Sequence, residues 1–423
     1  MTANTNSYHR HLEIESPTRQ RVMGVIFLLV AFSIYFFFAR STAGETITTF
    51  GLNRGATAIQ VPDWELPTQS TLTILAVLSA VLGGVQLARG FKRWTNWVLA
   101  VVVAFFVFGF LTWAAADRSL NLVGLFATTL GKAVPITLGA LAGILCERSG
   151  IVNIAIEGMM LSGAMVGALV GSVTKNLWLG LLAAIAVGAV MAWILGVLSI
   201  KYKTNQVISG TVINILATGL TSYISAKFLQ TYQELNNPGI FKPFEIPLLS
   251  KIPVLGPILF DNNLFVYLLF VLLVVLQVAL FSTRWGLRLR AVGEHPKAAD
   301  TLGINVNRTR YMGVILGGMV AGFAGGYFTL GSVGRFDEVM TAGRGFIGLA
   351  AMIFGNYMPF GSFGAGLLFG FADSLASRLA ILQVQIPSQF LLMAPYVVTM
   401  IVLAGVVGRS QAPAAEGVPY EKE

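Results

Sequence analysis

Asn153 and Glu157 stand four residues apart near the start of an otherwise apolar run, Ile151–Val173. On a helix beginning at Ile151 that spacing turns both toward one side. A carboxylate inside a membrane-length run costs about 2.5–3.5 kcal/mol on insertion scales, so it faces a cavity or a partner. Two roles are open: the pair lines a substrate path, or it caps and cross-links helices near the inner interface. Asp373 and Arg378, five apart in Gly361–Ile381, lie too far round a helix for a tidy ion pair and read equally as structural. Ser332–Gly345 (SVGRFDEVMTAGRG) holds Arg335, Asp337, Glu338 and Arg344, charges that can bridge to a docking partner or to one another.

Other chemistries are excluded. No GxxxxGK[ST] phosphate loop occurs, since Gly131-Lys132 is followed by alanine and lacks the upstream glycine, so any ATP is bound by another chain. There is no nucleophile elbow, no HExxH and no paired-carboxylate site on a soluble scaffold. The single cysteine, Cys146, rules out an internal disulfide and a multi-cysteine metal site. His9, His11 and His295 have no helical spacing with an acidic partner that would suggest zinc. The net charge of +9 is spread over short loops, with no compact basic domain for nucleic acid.

The elements that position these residues are mostly membrane helices. At 55% hydrophobic and 11% charged residues over 423 positions, the chain is far from a soluble globule, which averages about 25% charged. It reads as an all-α polytopic membrane protein with about twelve transmembrane or re-entrant segments. A polar tail (1–21) precedes the runs Val22–Ala39, Thr71–Ala88 and Val98–Ala116; a basic start before an apolar run also describes a signal peptide, but further spans follow. Asn121–Cys146 is interrupted by Lys132 and Pro135 and is expected to be broken or bent. Ile151–Val173, Leu177–Ile200, Val207–Leu229, Leu264–Thr283, Tyr311–Gly331, Gly361–Ile381 and Phe390–Val407 complete the long runs. Phe346–Met358, thirteen residues or about 20 Å, is too short for a full span and reads as a re-entrant half-helix or a tilted, partly buried piece. The tail from Arg409 reads as short, polar and disordered. Glycines at four-residue spacing (163/167/171, 318/322/326, 366/370) suit close helix packing.

Placing the amino terminus inside puts seventeen of the 28 Lys/Arg on inner segments and eight on outer ones, so both termini are expected inside. The proline-rich Gln230–Asn262 loop then lies outside, where a soluble partner can dock. The longest charged stretch, Arg284–Arg310, lies inside, with six Lys/Arg against Glu294 and Asp300. Gly293-Glu294-His295 turns the chain there, Pro296 opens a short helix to Leu302, and Gly303 stops it. A short helix on a basic inner loop is placed to meet a partner.

Three stretches together resemble the permease subunits of bacterial ATP-binding-cassette importers. They are LAGILCERSGIVNIAIEGMMLSGA (Leu141–Ala164), WGLRLRAVGEHPKAADTLGINVNRTRY (Trp285–Tyr311) and TAGRGFIGLAAMIFGNYMPFGSFGAGLLFG (Thr341–Gly370). The sugar/nucleoside branch that pairs with basic-membrane-protein-type lipoproteins, related to ribose and branched-chain amino acid permeases, is most similar. The resemblance runs from about Leu125 to Gly408. It implies a type II importer-like permease core over 117–408, three added helices in 22–116 and a cytoplasmic tail over 409–423. It further implies that Gly293, Glu294, His295, Pro296, Lys297, Ala298, Ala299, Asp300 and Gly303 form the coupling element that docks on the ATPase. Asn153, Glu157, Gly158, Phe354 and Gly355 would border the substrate path. The implied partners are a cytoplasmic ATPase that binds ATP-Mg (this chain holding no cofactor), a second permease, identical or related, and an extracytoplasmic binding protein. Nucleosides lead among implied substrates, then simple sugars, then branched-chain amino acids. An ion- or proton-coupled secondary transporter, titrating at Glu157 or Asp373, is the alternative.

Overall fold

The computed structural model describes residues 17–54, 60–382, 393 and 410–422. Ten helices among these residues are long and apolar enough to cross a membrane, and Arg344–Phe354 is a shorter apolar helix. Phe390–Val407 lies almost wholly outside the described residues. The chain divides into two compact units.

The first unit holds 17–122. Helix α1 (Pro17–Ser33) begins inside the expected polar tail and runs on to Ala39 through a widened turn, in which the Arg40 N–H reaches Tyr35 O at 3.0 Å. It packs with α2 (Thr68–Ala88) and α3 (Thr95–Ala114), and Phe38 nests against the rings of Phe106, Phe110 and Trp113. The expected polar loop after α1 is partly a sheet: β1 (Ile47–Gly51) pairs antiparallel with β2 (Trp64–Pro67) and parallel with β3 (Ser119–Asn121). β3 completes that sheet, and this unit runs to Leu122.

The second unit is built on α4 (Leu122–Glu147), buried along most of its length. The expected break at Pro135 does not occur, since α4 is one continuous helix. Pro135 cannot donate to the carbonyl four residues back, and Gly131 O instead accepts the Tyr327 hydroxyl at 2.8 Å. Helices α5 (Ile156–Thr174), α6 (Leu177–Gly196) and α11 (Val306–Gly326) pack backbone to backbone. A Cβ on Gly163 would stand 2.7 Å from Gly322 O, and one on Gly180 2.7 Å from Gly167 O, so these glycine stripes are packing devices. Helices α7 (Gln206–Ile224) and α8 (Leu264–Ser282) expose much more of their apolar surface. Between them the proline-rich loop forms short helical turns and a small ribbon, β4 (Phe244–Glu245) with β5 (Asp261–Asn262).

The charged central stretch forms α9 (Arg284–Glu294), started by the Thr283 hydroxyl on Gly286 N–H, and the six-residue α10 (Pro296–Thr301). Gly293 and Glu294 belong to α9, so the chain turns at His295 alone. His295 caps α10, its Nδ1 accepting the Ala298 N–H at 3.2 Å, and Gly303 ends the turn in the left-handed region at φ 79°.

Candidate functional site

Two interruptions of helix meet inside the second unit. The first is 151–155, a non-helical stretch between the Gly150 turn and α5. The helix therefore starts at Ile156, and Asn153 is not on a shared helical face with Glu157 as the spacing suggested. Ile151 and Val152 are β-branched and Asn153 competes for backbone hydrogen bonds, which favours an extended entry. The second is 334–343, which descends along α5. Phe336 packs near Met165 and Ala168, and Thr341 reaches Glu157. Only then does α12 (Arg344–Phe354) begin, running alongside α4 so that Gly348 abuts Gly139 and Met352 abuts Gly143. The short apolar run is thus a partly buried half-helix that follows an unwound stretch. The Ser332–Gly345 turn contains that stretch. α12 ends beside the Glu147 end of α4, where α13 (Pro359–Ile381) turns back.

Glu157 joins the two breaks. Its Oε1 accepts the Thr341 hydroxyl at 2.6 Å and the Gly343 N–H at 2.8 Å; its Oε2 accepts the Gly345 N–H at 2.6 Å. The first N–H groups of any helix lack internal partners and carry its positive end, and Gly343 has no side chain to cap them. A carboxylate from α5 does it instead. Beside this junction Asp373 of α13 bridges two cations, Lys132 Nζ at 3.1 Å and Arg344 Nη2 at 3.3 Å, all three about a quarter exposed. Asp373 thus has partners that its spacing from Arg378 did not reveal. Arg335 pairs with its neighbour Asp337.

Beside the junction lies an open groove of about 520 Å³ lined by Ile154, Thr211, Asn214, Thr218 and Phe346 among others. That is within the range of small-ligand sites. Asn214 ties α7 to the break, its amide donating to Ile154 O at 2.9 Å and accepting the Gly158 N–H at 2.8 Å. Gly158 itself is buried behind Asn214, and a Cβ there would meet Asn214 Oδ1 at 2.9 Å. Asn153 is fully buried, its amide nitrogen on Cys146 Sγ at 3.2 Å. Phe354 and Gly355 lie at the far end of α12, ten residues or about 15 Å past Gly345. There Phe354 meets Phe369 edge-on at 5.5 Å, and Gly355 packs on Ser362 in the α12–α13 turn. The structure therefore groups Glu157 and Gly158 at the junction and places Phe354 and Gly355 elsewhere. Asn214 and Phe346 escaped sequence reasoning; the signal for the first was an Asn three residues after Thr211 and four before Thr218, on one face of its run.

At the Glu147 end, α9 and α10 present a second surface. Glu294, His295, Lys297, Ala298 and Gly303 are exposed, as is Leu302 at 81%. Gly293 and Ala299 are buried: α9 crosses the Arg148–Gly150 turn at Gly293, and Ala299 packs with Val292, Val306 and Tyr420. They shape this surface from beneath. Arg148, in the tight turn that follows α4, holds the neighbouring turns together. Its Nε and Nη2 donate to Tyr357 O at 3.2 and 3.1 Å, and its Nη1 lies 3.9 Å from Glu294. Burial presses this guanidinium below the usual arginine range, and Glu294 opposes that shift.

A bundle of membrane-length helices with a broken-helix junction, a ligand-sized groove and an exposed loop helix defines a polytopic membrane transport subunit. Residues 125–407 match the family described as branched-chain amino acid transport system / permease component, and the chain belongs to it. It is 42% identical over 305 residues to guanosine ABC transporter permease protein NupQ of Bacillus subtilis, covering 70% of this chain and 95% of that protein. It is 40% identical over 306 residues to nucleoside ABC transporter permease protein NupC of Lactococcus lactis, covering 70% and 96%. It is 36% identical over 255 residues to putative glucose ABC transporter permease protein TsgC13 of Haloferax volcanii, covering 60% and 77%. No solved structure matches significantly. The chain is a transport component, not an enzyme.

Proposed function

We propose that this chain is the permease of an ATP-driven nucleoside importer in a bacterial cytoplasmic membrane, with both termini cytoplasmic. A second permease, identical or related, completes the path, a binding protein delivers substrate outside, and cytoplasmic ATPase subunits bind ATP-Mg and dock on α9–α10. The relatives named for guanosine and nucleosides support the substrate class. The observation that carries the reading is the groove beside the junction: the α12 half-helix, a polar stripe of Thr211, Asn214 and Thr218, and the half-exposed Phe346 ring. An aromatic face suits a base, and the Thr211 and Thr218 hydroxyls, which donate to Val207 O and Asn214 O, keep lone pairs that can accept from ribose hydroxyls. Simple sugars are the second reading, because a sugar needs only the polar stripe. Substrate passes by alternating access, with Glu157 and Gly158 shaping the junction and Glu294, His295, Lys297, Ala298 and Asp300 meeting the ATPase.

Proton-coupled transport at Glu157 finds less support, because both its oxygens are already occupied by three donors. The test is uptake of radiolabelled nucleosides and sugars into proteoliposomes holding this chain, its second permease, ATPase and binding protein. Uptake that needs internal ATP and ignores proton ionophores is expected. Uptake that persists without ATP and collapses with the proton gradient refutes the importer.

A further inference from the structure

The carboxy-terminal residues, expected to be a disordered tail, are held on the coupling surface over 410–422. The Ala415 N–H donates to Gly293 O at 2.9 Å and the Ala414 N–H to Glu294 Oε2 at 3.1 Å, which ties the segment to the end of α9. The Gly417 N–H donates to Gly150 O at 3.1 Å, at the start of the 151–155 break. The Gln411 N–H reaches Asn356 Oδ1 at 2.9 Å, in the α12–α13 turn, and Val418 O accepts Arg310 Nη1 at 3.0 Å, at the foot of α11. Tyr420 is buried among Val292, Ala299 and Val306, the residues on which α10 rests.

We infer that 410–422 is a strap that transmits movement of the coupling helices to the two helix breaks, and that transport stays coupled to ATP hydrolysis only while it is attached. The inference rests on the reading of α9–α10 as the ATPase dock. Its contacts fall on α9, on the foot of α11, on Lys203 in the loop before α7, on the carbonyl from which the chain runs five residues to α5, and on the turn that ends α12. A displacement of α9 is therefore delivered to both elements that meet at Glu157. The strap is also built to let go. Its Glu416 carboxyl is brought beside that of Glu147 and pushed up by burial, and Arg310 is buried with Nε and Nη2 finding no acceptor among the described residues. Such costs oppose attachment and are misplaced in a permanent brace.

The test uses the complete reconstituted importer with the chain ended after Arg409, and separately with Tyr420→Ala. Three quantities are read: ATPase co-purified with the permease, ATP hydrolysed, and radiolabelled guanosine taken up per ATP. Unchanged co-purification with sustained hydrolysis is expected, while guanosine per ATP falls tenfold or more on truncation and several-fold in Tyr420→Ala. An unchanged ratio in both overturns the strap. Lost ATPase association also overturns it, since the segment would then be part of the dock rather than a transmitter. Should the truncated chain fail to reach the membrane, Tyr420→Ala decides alone. If the full-length chain shows no ATP-dependent uptake in the same vesicles, it is the importer reading that fails.

Discussion

Replacing Glu157 with Gln tests the junction at its centre. The substitution keeps size and shape but removes the charge and turns one acceptor oxygen into a donor. In the native arrangement both oxygens accept, Oε1 from Thr341 and Gly343, Oε2 from Gly345. An amide serves one side only. With its carbonyl toward Thr341 and Gly343, its NH2 meets the Gly345 N–H across the 2.6 Å that separates them now. An unmet buried donor costs about 1–3 kcal/mol, and loss of the charge at the start of α12 up to about 2 kcal/mol more. A combined loss near 3 kcal/mol lowers the population of the closed junction by about 10²-fold. Hydrogen exchange at Gly343 and Gly345 should accelerate by that order, and ATP-driven uptake in proteoliposomes should fall at least tenfold while the ATPase still co-purifies. Glu157→Asp, charged but one methylene short, should lie between. Native exchange protection together with native uptake in Glu157→Gln would refute the junction's role.

Other perturbations follow from the same contacts. Gly345→Ala should cost about 1–3 kcal/mol in thermal unfolding and abolish uptake, because the new Cβ would stand 2.7 Å from Glu157 Cα. Asp373→Asn should destabilise more than Lys132→Met, by about 2 kcal/mol, since it removes the counter-charge of two cations that keep only neutral acceptors, whereas Lys132→Met leaves Asp373 its Arg344; a quarter exposure keeps this below the 3–5 kcal/mol of a fully buried pair. Ala298→Trp, on the exposed side of α10, should leave thermal stability within about 0.5 kcal/mol and lose uptake, whereas Ala299→Trp should overpack the Tyr420 pocket and loosen the strap. Burial pushes the Glu416 carboxyl up, with Glu147 and Tyr357 as its titrating neighbours. The attached strap therefore binds a proton that the free one does not. Attachment should weaken as pH rises from the ordinary carboxylate range through the raised value, and limited proteolysis of 410–422 should show Glu416→Gln losing that dependence.

Much of the helical architecture was legible in apolar run lengths. The deficit at Phe346–Met358 was legible as well, because thirteen residues cannot span. The cause of the deficit was not. The cap on α12 comes from Glu157, 188 residues before Gly345, and the cations on Asp373 come from Lys132, 241 residues away, and from Arg344. Local periodicity carries no information about such pairings. Pro135 misled for a related reason: its unsatisfied carbonyl is met by Tyr327, a tertiary partner that a helix-breaking rule does not see. The carboxy-terminal segment looked disordered because QAPAAEGVPYEKE is polar and proline-bearing; only Tyr420 hinted that part of it is buried.

The two helix breaks differ in how they can move, and that difference assigns them roles. The 151–155 stretch is tied at both ends, by Gly417 on Gly150 O and by Asn214 on Ile154 O, so it moves only if its anchors move. The 334–343 stretch is held at its far end by Asn236 on Phe336 and at its near end by Glu157. A shift of the coupling helices therefore reaches the first break directly, and the second both through the far end of α12, where Gln411 meets Asn356, and through the Glu157 carboxylate. If Glu157 releases α12, the Phe346 wall of the groove leaves while Thr211, Asn214 and Thr218 stay with α7. The polar stripe then keeps its hold on the substrate's hydroxyls as the aromatic contact is lost. On this reasoning affinity falls in one step at the ring, and Phe346→Leu should raise the KM for nucleosides more than for simple sugars.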